Sequence, residues 1–260
     1  MVVKRRHQPC RRGSLIVAFL AALTLSLTGC VWSRLYETKT QLAHFDDHFR
    51  VEVQDRFILS FKDPVLYSSD FAYLTKLKAS RIQRAQNGKT WYYDFFKIDD
   101  DGRGIDPAIS FAFELKFNAE DRLSVWAFSP VFLAMMPPEF LEISLRSLGT
   151  AEIVKSKKQL RADPNAILKA DAIPPTREKI ERRFGLPLKI RKKPNALLYI
   201  YHFRLITSEI EEGYEDRALT KLKLYFNPES DHLVRMSGRF AGLKLSIDYR
   251  KLLRKTEISL

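Results

Sequence analysis

The chain has 260 residues, 45% of them hydrophobic and 29% charged, with only ten Gly and twelve Pro, which excludes a disordered or collagenous protein and leaves room for one large domain or two small ones. Its 12% aromatic content, with eighteen Phe, points to dense burial in sheets. A formal charge of +13 could serve nucleic acid, an anionic membrane surface or an acidic protein, or could belong to a solvated surface with an excess of Lys and Arg.

Residues 1–29 read as an export signal. Lys4, Arg5, Arg6, Arg11 and Arg12 form a basic region, and the largely apolar run from Leu15 to Leu27 follows it. A membrane-spanning helix needs about twenty apolar residues. Ser33, Arg34 and Glu37 come too soon for one, although an uncleaved anchor is the alternative reading. Removal of the signal lowers the charge to about +8. Export discounts nucleic acid as a partner and favours phospholipid head groups, lipopolysaccharide or an acidic protein face.

Leu27-Thr28-Gly29-Cys30 resembles the lipobox of bacterial lipoproteins. The resemblance implies that Cys30 becomes the new N-terminus, alkylated by a diacylglyceryl group and acylated on its amine, and that two or three chains anchor it stably in a membrane. Val31 stands where an inner-membrane retention signal would have Asp, so the implied destination is the outer membrane, facing the periplasm. Cys10 would leave with the signal and Cys30 would be consumed by lipid, so no thiol, disulfide or cysteine-held zinc is expected.

In the mature chain, Leu35, Leu42, Phe45 and Phe49 predict a short amphipathic helix over 34–49, and alternation from Val51 to Phe61 predicts a strand that ends at Asp63-Pro64. Ser68-Ser69-Asp70 before Phe71, Leu74 and Leu77 predicts a helix of one or two turns. Strands are expected over 90–96, 109–117 and 123–128, the last two joined by a tight turn from Asn118 to Asp121. Phe140, Leu141, Leu145 and Leu148 between Pro138 and Gly149 predict the clearest helix. Residues 150–172 show little periodicity and read as a bridge. Beyond it come a helix from Arg177 to Phe184 and strands over 197–205, 219–226 and 233–236.

The two halves share short matches: Tyr93-Asp94-Phe95 with Tyr201-His202-Phe203, Leu115-Lys116-Phe117-Asn118 with Leu224-Tyr225-Phe226-Asn227, and Asp121-Arg122-Leu123 with Asp231-His232-Leu233. A duplication is expected, against chance likeness of aromatic strands. The run from Thr176 to Pro187, followed by an aromatic strand and a strand ending Tyr225-Phe226-Asn227, is similar to the small outer-membrane lipoprotein domain of the SmpA/OmlA (BamE-like) type, whose tandem resembles the β-lactamase inhibitor protein fold. The usual Gly-Met before the helix is missing, and Leu77-Lys78-Ala79-Ser80 replaces the Gly-x-Pro corner in the first half. The resemblance implies an α+β fold of two repeated units, each a helix packed on an antiparallel three- to four-stranded sheet. The expected division is signal 1–29, lipidated N-terminus and short helix 30–50, first unit 51–149, bridge 150–172 and second unit 173–260.

Four polar clusters invite a functional reading. His44 and His48 have metal-ligand spacing on a helix, but no third ligand is evident and a solvated helix end is the plainer account. Asp99-Asp100-Asp101-Gly102-Arg103-Gly104 faintly resembles a calcium loop but lacks the Glu at its twelfth position, which favours a polar hairpin. Glu209, Glu211, Glu212, Glu215 and Asp216 form either a docking edge or a solvated loop. The basic contact surface is assigned to Lys155, Lys157, Lys158, Lys189, Arg191, Lys192 and Lys193. The apolar run from Pro130 to Phe140, with Met135 and Met136, reads as core between the halves or as an adaptable surface for a partner or acyl chain.

No nucleophile elbow, zinc-protease helix, phosphate loop or dinucleotide fingerprint occurs, so no catalytic residue, metal or cofactor is expected. The expected function is a membrane-anchored periplasmic lipoprotein that binds or scaffolds an envelope protein without enzymatic activity. The alternatives are a carrier or sensor holding a hydrophobic ligand between the units, and a hydrolase assembled from scattered residues.

Overall fold

The computed structural model describes residues 31–106, 108–133, 136–154, 159–161, 171–207, 209–240 and 243–253. The signal segment and Leu27, Thr28, Gly29 and Cys30 lie outside the described residues, as do Met135, Lys155, Lys157 and Lys158. Among the described residues, no helix is long and apolar enough to cross a membrane.

Alternation of apolar and polar side chains builds most of the molecule. The strands are β1 (Phe49–Val53), β2 (Phe57–Phe61), β3 (Arg81–Ala85), β4 (Gly88–Ile98), β5 (Ser110–Phe117), β6 (Leu123–Phe128), β7 (Glu152–Val154), β8 (Gln159–Arg161), β9 (Lys189–Lys193), β10 (Ala196–Leu205), β11 (Leu219–Phe226), β12 (Leu233–Phe240) and β13 (Leu243–Asp248). Eleven of them form one antiparallel sheet with the path β1-β2-β6-β5-β4-β10-β11-β12-β13, and β7 with β8 makes a separate hairpin in the expected bridge. Strands β3 and β9 lie off this path. Arg81 pairs with Tyr92 of β4 where Leu205 of β10 pairs with Phe95, so β3 continues the line of β10. In the same way β9 continues the line of β4, with Lys189 opposite Ile200 and Ile98 opposite His202.

This arrangement corrects the expected fold of two repeated units, each with its own helix and three- to four-stranded sheet. Residues 95–98 of β4 pair with 202–205 of β10 in one continuous sheet, and helices are few. The physical reason is the edge: β4 and β10 are both rich in aromatic residues, and leaving either unpaired would expose backbone donors and acceptors beside Phe95 and Phe203. What recurs between the halves is smaller. Asp121 (φ 63°) and Asp231 (φ 64°) close matching turns in the left-handed region. Their carbonyls accept from the first amides of α3 (Ser68–Thr75) and α6 (Arg177–Phe184), from Ser68 N at 3.2 Å and Arg177 N at 3.3 Å. Each turn thereby satisfies one of the amides left unpaired at a helix N-terminus.

The helical layer lies on one face of the sheet. Residues 31–43 form α1, followed by the single turn α2 (Phe45–His48), so the helix expected over 34–49 breaks at His44 and yields to β1 at Phe49. The strand expected over 51–61 is a hairpin, β1 and β2. The remaining helices are α3, the short α4 (Pro130–Leu133), α5 (Pro138–Leu148), α6 and the final turn α7 (Tyr249–Leu252).

One core runs under both halves. It takes the odd-numbered side chains of β10, namely Tyr199, Tyr201, Phe203 and Leu205, together with Phe111, Phe113, Leu115 and Phe117 of β5. Phe111 meets Phe203 across the β4/β10 junction with ring centroids 5.0 Å apart. Phe184 of α6 packs edge-on to Phe203 at 5.7 Å, and Phe132 of α4 packs on Phe113 at 5.4 Å. Helix α1 is locked to α3 by Arg34, whose guanidinium holds the fully buried Asp70 carboxylate through two bonds of 2.7 and 2.5 Å. Its far end crosses α5 so closely that a Cβ on Gly149 would lie 2.3 Å from the Ala43 nitrogen.

Candidate functional site: a basic, open sheet face

The even-numbered residues of β10 and their register partners point away from the helices. Ile98, Ala127, Leu198 and Ile200 are buried yet stand outside the core cluster, which places them on this second, open face. On it, Arg204 lies opposite Leu219, His202 opposite Lys221, Ile200 between Lys189 and Lys223, and Leu198 between Arg191 and Tyr225. Arg235 of β12 follows opposite Tyr225, with its guanidinium 5.5 Å from the ring centroid.

The structure therefore divides the basic residues selected from the sequence. Lys189, Arg191 and Lys193 share the open face, whereas Lys192 and Ile190 alternate to the helix side. All five are exposed on β9, which is bonded to a strand on one side only. Cations on such a strand also discourage edge-to-edge association, so β9 alone is an ambiguous signal. The residues missed by the sequence reading carry more weight: His202, Arg204, Lys221, Lys223 and Arg235 sit on internal strands, where edge protection is not needed. Their i, i+2 spacing in 202–204 and 221–223 was visible, but only the strand register shows that they are neighbours.

No open-face position of β10 or β11 carries a carboxylate, and among the described residues Arg204, Lys221, Lys223 and Arg235 form no ion pair. Two acids border this face and bind other cations: Asp100 pairs with Lys189 at 3.0 Å, and Asp248, opposite Arg235 in the register, pairs with Arg250 at 2.8 Å. His202 reports the local field. Burial, then the charge of Lys221 and of Lys189, holds its imidazole below the ordinary histidine range, with Asp100 opposing.

The other clusters resolve into structural roles. His48 bonds the Asp63 carboxylate at 2.8 Å and His44 meets the Thr40 carbonyl at 3.2 Å, so the two imidazoles have different partners. Among the described residues, no group of three or more metal-ligating side chains comes together. In the loop after β4, Arg103 bonds the carboxylates of Asp99 and Asp101, filling the place a cation would take. The Arg103 amide holds the Asp99 carboxyl below its usual range. The acidic loop is a clasp on the first half, since Glu209 pairs with Lys78 and Glu211 with Lys76. Arg217 beside it donates to the Leu74 and Thr75 carbonyls at 2.9 Å each, satisfying the C-terminal end of α3. Lys97 does the same for α6, donating to Phe184 O at 2.6 Å and Leu186 O at 2.5 Å, and burial lowers its pKa. Phe132, Met136 and Phe140 are core.

Compared with protein-family models, curated proteins and solved structures, the chain matches none. The likeness of Leu27 to Cys30 to a lipobox thus rests on the sequence alone.

Proposed function

We propose that this protein is a lipoprotein of the bacterial envelope, anchored through acylated Cys30 in the outer membrane and facing the periplasm, and that it binds or scaffolds a protein partner without enzymatic activity. The observation that carries the binding half of this reading is the open sheet face. The helical layer and the core cluster lie on one side of the sheet, and the described residues leave the other side as a broad surface of ordered side chains. Paired strands fix the backbone beneath these side chains, so docking has side chains but no backbone to order.

Nothing comparable favours a carrier of a hydrophobic ligand. Met136 is fully buried, and the Phe111–Phe203 contact fills the space between the halves where such a ligand would sit. An open groove along α6 is lined by charged and polar side chains such as Glu178, Lys179 and Arg183.

The test is intact mass and membrane fractionation of the full chain with Cys30 and with Cys30→Ala. The expected outcome is an acylated wild type in the outer membrane and an unacylated variant released from it. Two soluble, unmodified proteins would remove the localisation.

A further inference from the structure

We propose that the open face of β10, β11 and β12, through Arg204, Lys221, Lys223 and Arg235, docks an acidic face of a protein partner. This deepens the binding-module reading and rests on it. Three observations carry it: the charge on this surface, its geometry, and the position of its apolar side chains.

The charge is uncompensated where it could have been balanced. On the open face of the first half each comparable arginine has a carboxylate: Arg50 with Glu52 at 3.2 Å, Arg56 with Glu114 at 3.0 Å and Arg81 with Asp94 at 3.2 Å. The same sheet, one strand further on, holds exposed Arg204, Lys221, Lys223 and Arg235 without an ion pair among the described residues. A merely solvated sheet face needs polar groups of either sign, as the first half demonstrates. A single-sign array is complementary to negative charge.

The geometry selects the kind of anion. Neighbouring strands are about 4.8 Å apart and alternate residues about 7 Å, so these cations spread over roughly 10 by 20 Å of a plane. A phosphate or lone carboxylate is held by donors converging on one point, usually backbone amides in a nest or at a helix N-terminus. Here the donors are spread side by side, which fits charges that are themselves distributed over a surface. The Arg235–Tyr225 pair belongs to the residue types that anchor protein interfaces.

The apolar residues argue against a bilayer. A surface that settles into head groups presents exposed aliphatic or aromatic side chains to the acyl boundary. On this face Ile98, Leu198 and Ile200 are 2%, 4% and 7% exposed. Of the large exposed hydrophobics among the described residues, only Ile206, just beyond the end of β10, borders it by alternation.

The experiment places a photo-crosslinking residue at Ser237, opposite Lys223, and separately at Ser60 on the open face of the first half, in the full chain expressed in its host. The expected result is a protein adduct of discrete mass from position 237. Its crosslinked peptide is rich in Asp and Glu. Yield falls at least tenfold in Lys221→Glu/Lys223→Glu/Arg235→Glu, is unchanged in Lys116→Glu, and returns when the partner's acidic residues are reversed in turn. The milder Lys221→Gln/Lys223→Gln/Arg235→Gln, with its melting curve, separates lost charge from lost fold and is expected to lose the adduct while melting like wild type. An adduct from position 60 alone overturns this inference and leaves the binding module standing. An adduct to lipid alone at 237, or a yield indifferent to charge reversal, also overturns it. No protein adduct at either position from acylated, membrane-bound protein removes the inference and the binding module together.

Discussion

The open face of the first half and that of the second are built on one sheet with one register, yet they solve the same solvation problem differently. Around β2, β4 and β5, arginines are matched by Glu52, Glu114 and Asp94, and Arg81 also lies 3.3 Å from the centroid of the Tyr92 ring. Around β10 to β12, Arg204, Lys221, Lys223 and Arg235 have no such partner among the described residues, and burial, with the charges of Lys221 and Lys189, lowers the pKa of the His202 imidazole among them. Exposed pairs contribute only about 0–1 kcal/mol each, so the difference matters little to stability. It matters to the charge each surface presents: the first half sets three carboxylates among its open-face cations, whereas no open-face position of β10 or β11 carries one.

Both halves share one sheet and one core, and the largest expected effect tests whether they unfold as one unit. Phe203 is fully buried between Phe111 and Phe184, so Phe203→Ala is expected to cost about 3–5 kcal/mol. Denaturant unfolding of the variant, followed by tryptophan fluorescence from the first half and by far-UV dichroism, should remain a single coincident transition. Separate transitions would mean that the halves fold independently and that their open faces are two surfaces, not one.

A smaller effect separates paired from unpaired charge. Glu114→Gln removes the partner of Arg56 and should lower stability by up to about 1 kcal/mol. Lys221→Gln/Lys223→Gln relieves repulsion and should leave stability equal or slightly raised at low salt, an advantage that fades as salt screens the face. Equal losses in both variants would show that the second half is compensated after all.

The smallest effect is a titration. The His202 imidazole should show an NMR midpoint below the ordinary 6.5, and Lys221→Gln should move it upward. Because its folded pKa is depressed while the unfolded chain titrates near 6.5, protonation favours the unfolded state. His202 therefore subtracts stability as pH falls through 6.5 towards its folded value, and this loss is absent above 6.5. A midpoint indifferent to Lys221 would remove that lysine from the local field.

Local chemistry made much of the chain legible. Helix α6 was readable over its whole length, because Thr176 stands at its N-cap and accepts from the Lys179 amide, and Gly185 ends it. Strands β4, β5, β6, β10 and β11 followed from aromatic alternation. The turn at Gln54 to Arg56 was missed because Val51 to Phe61 keeps an even apolar rhythm across it, so one strand and a hairpin look alike. β3 and β9 were missed because Arg81 to Ala85 and Lys189 to Lys193 are exposed on every residue, and periodicity vanishes where neither face is buried.

The sequence by itself determined helices α5 and α6, the aromatic strands, the matching Asp121 and Asp231 turns, and the expectation of a lipid-bearing Cys30. These depend on neighbours within a few residues, where side-chain spacing and backbone preference act directly. Only the tertiary structure decided that the halves share one sheet and one core, and that Arg204, Lys221, Lys223 and Arg235 share one face of it. Those are facts of strand pairing between residues far apart in the chain, set by the gain from closing the β4 and β10 edges against each other. The spacing along a strand shows which side a residue takes, but only the register shows which other residues it will find there.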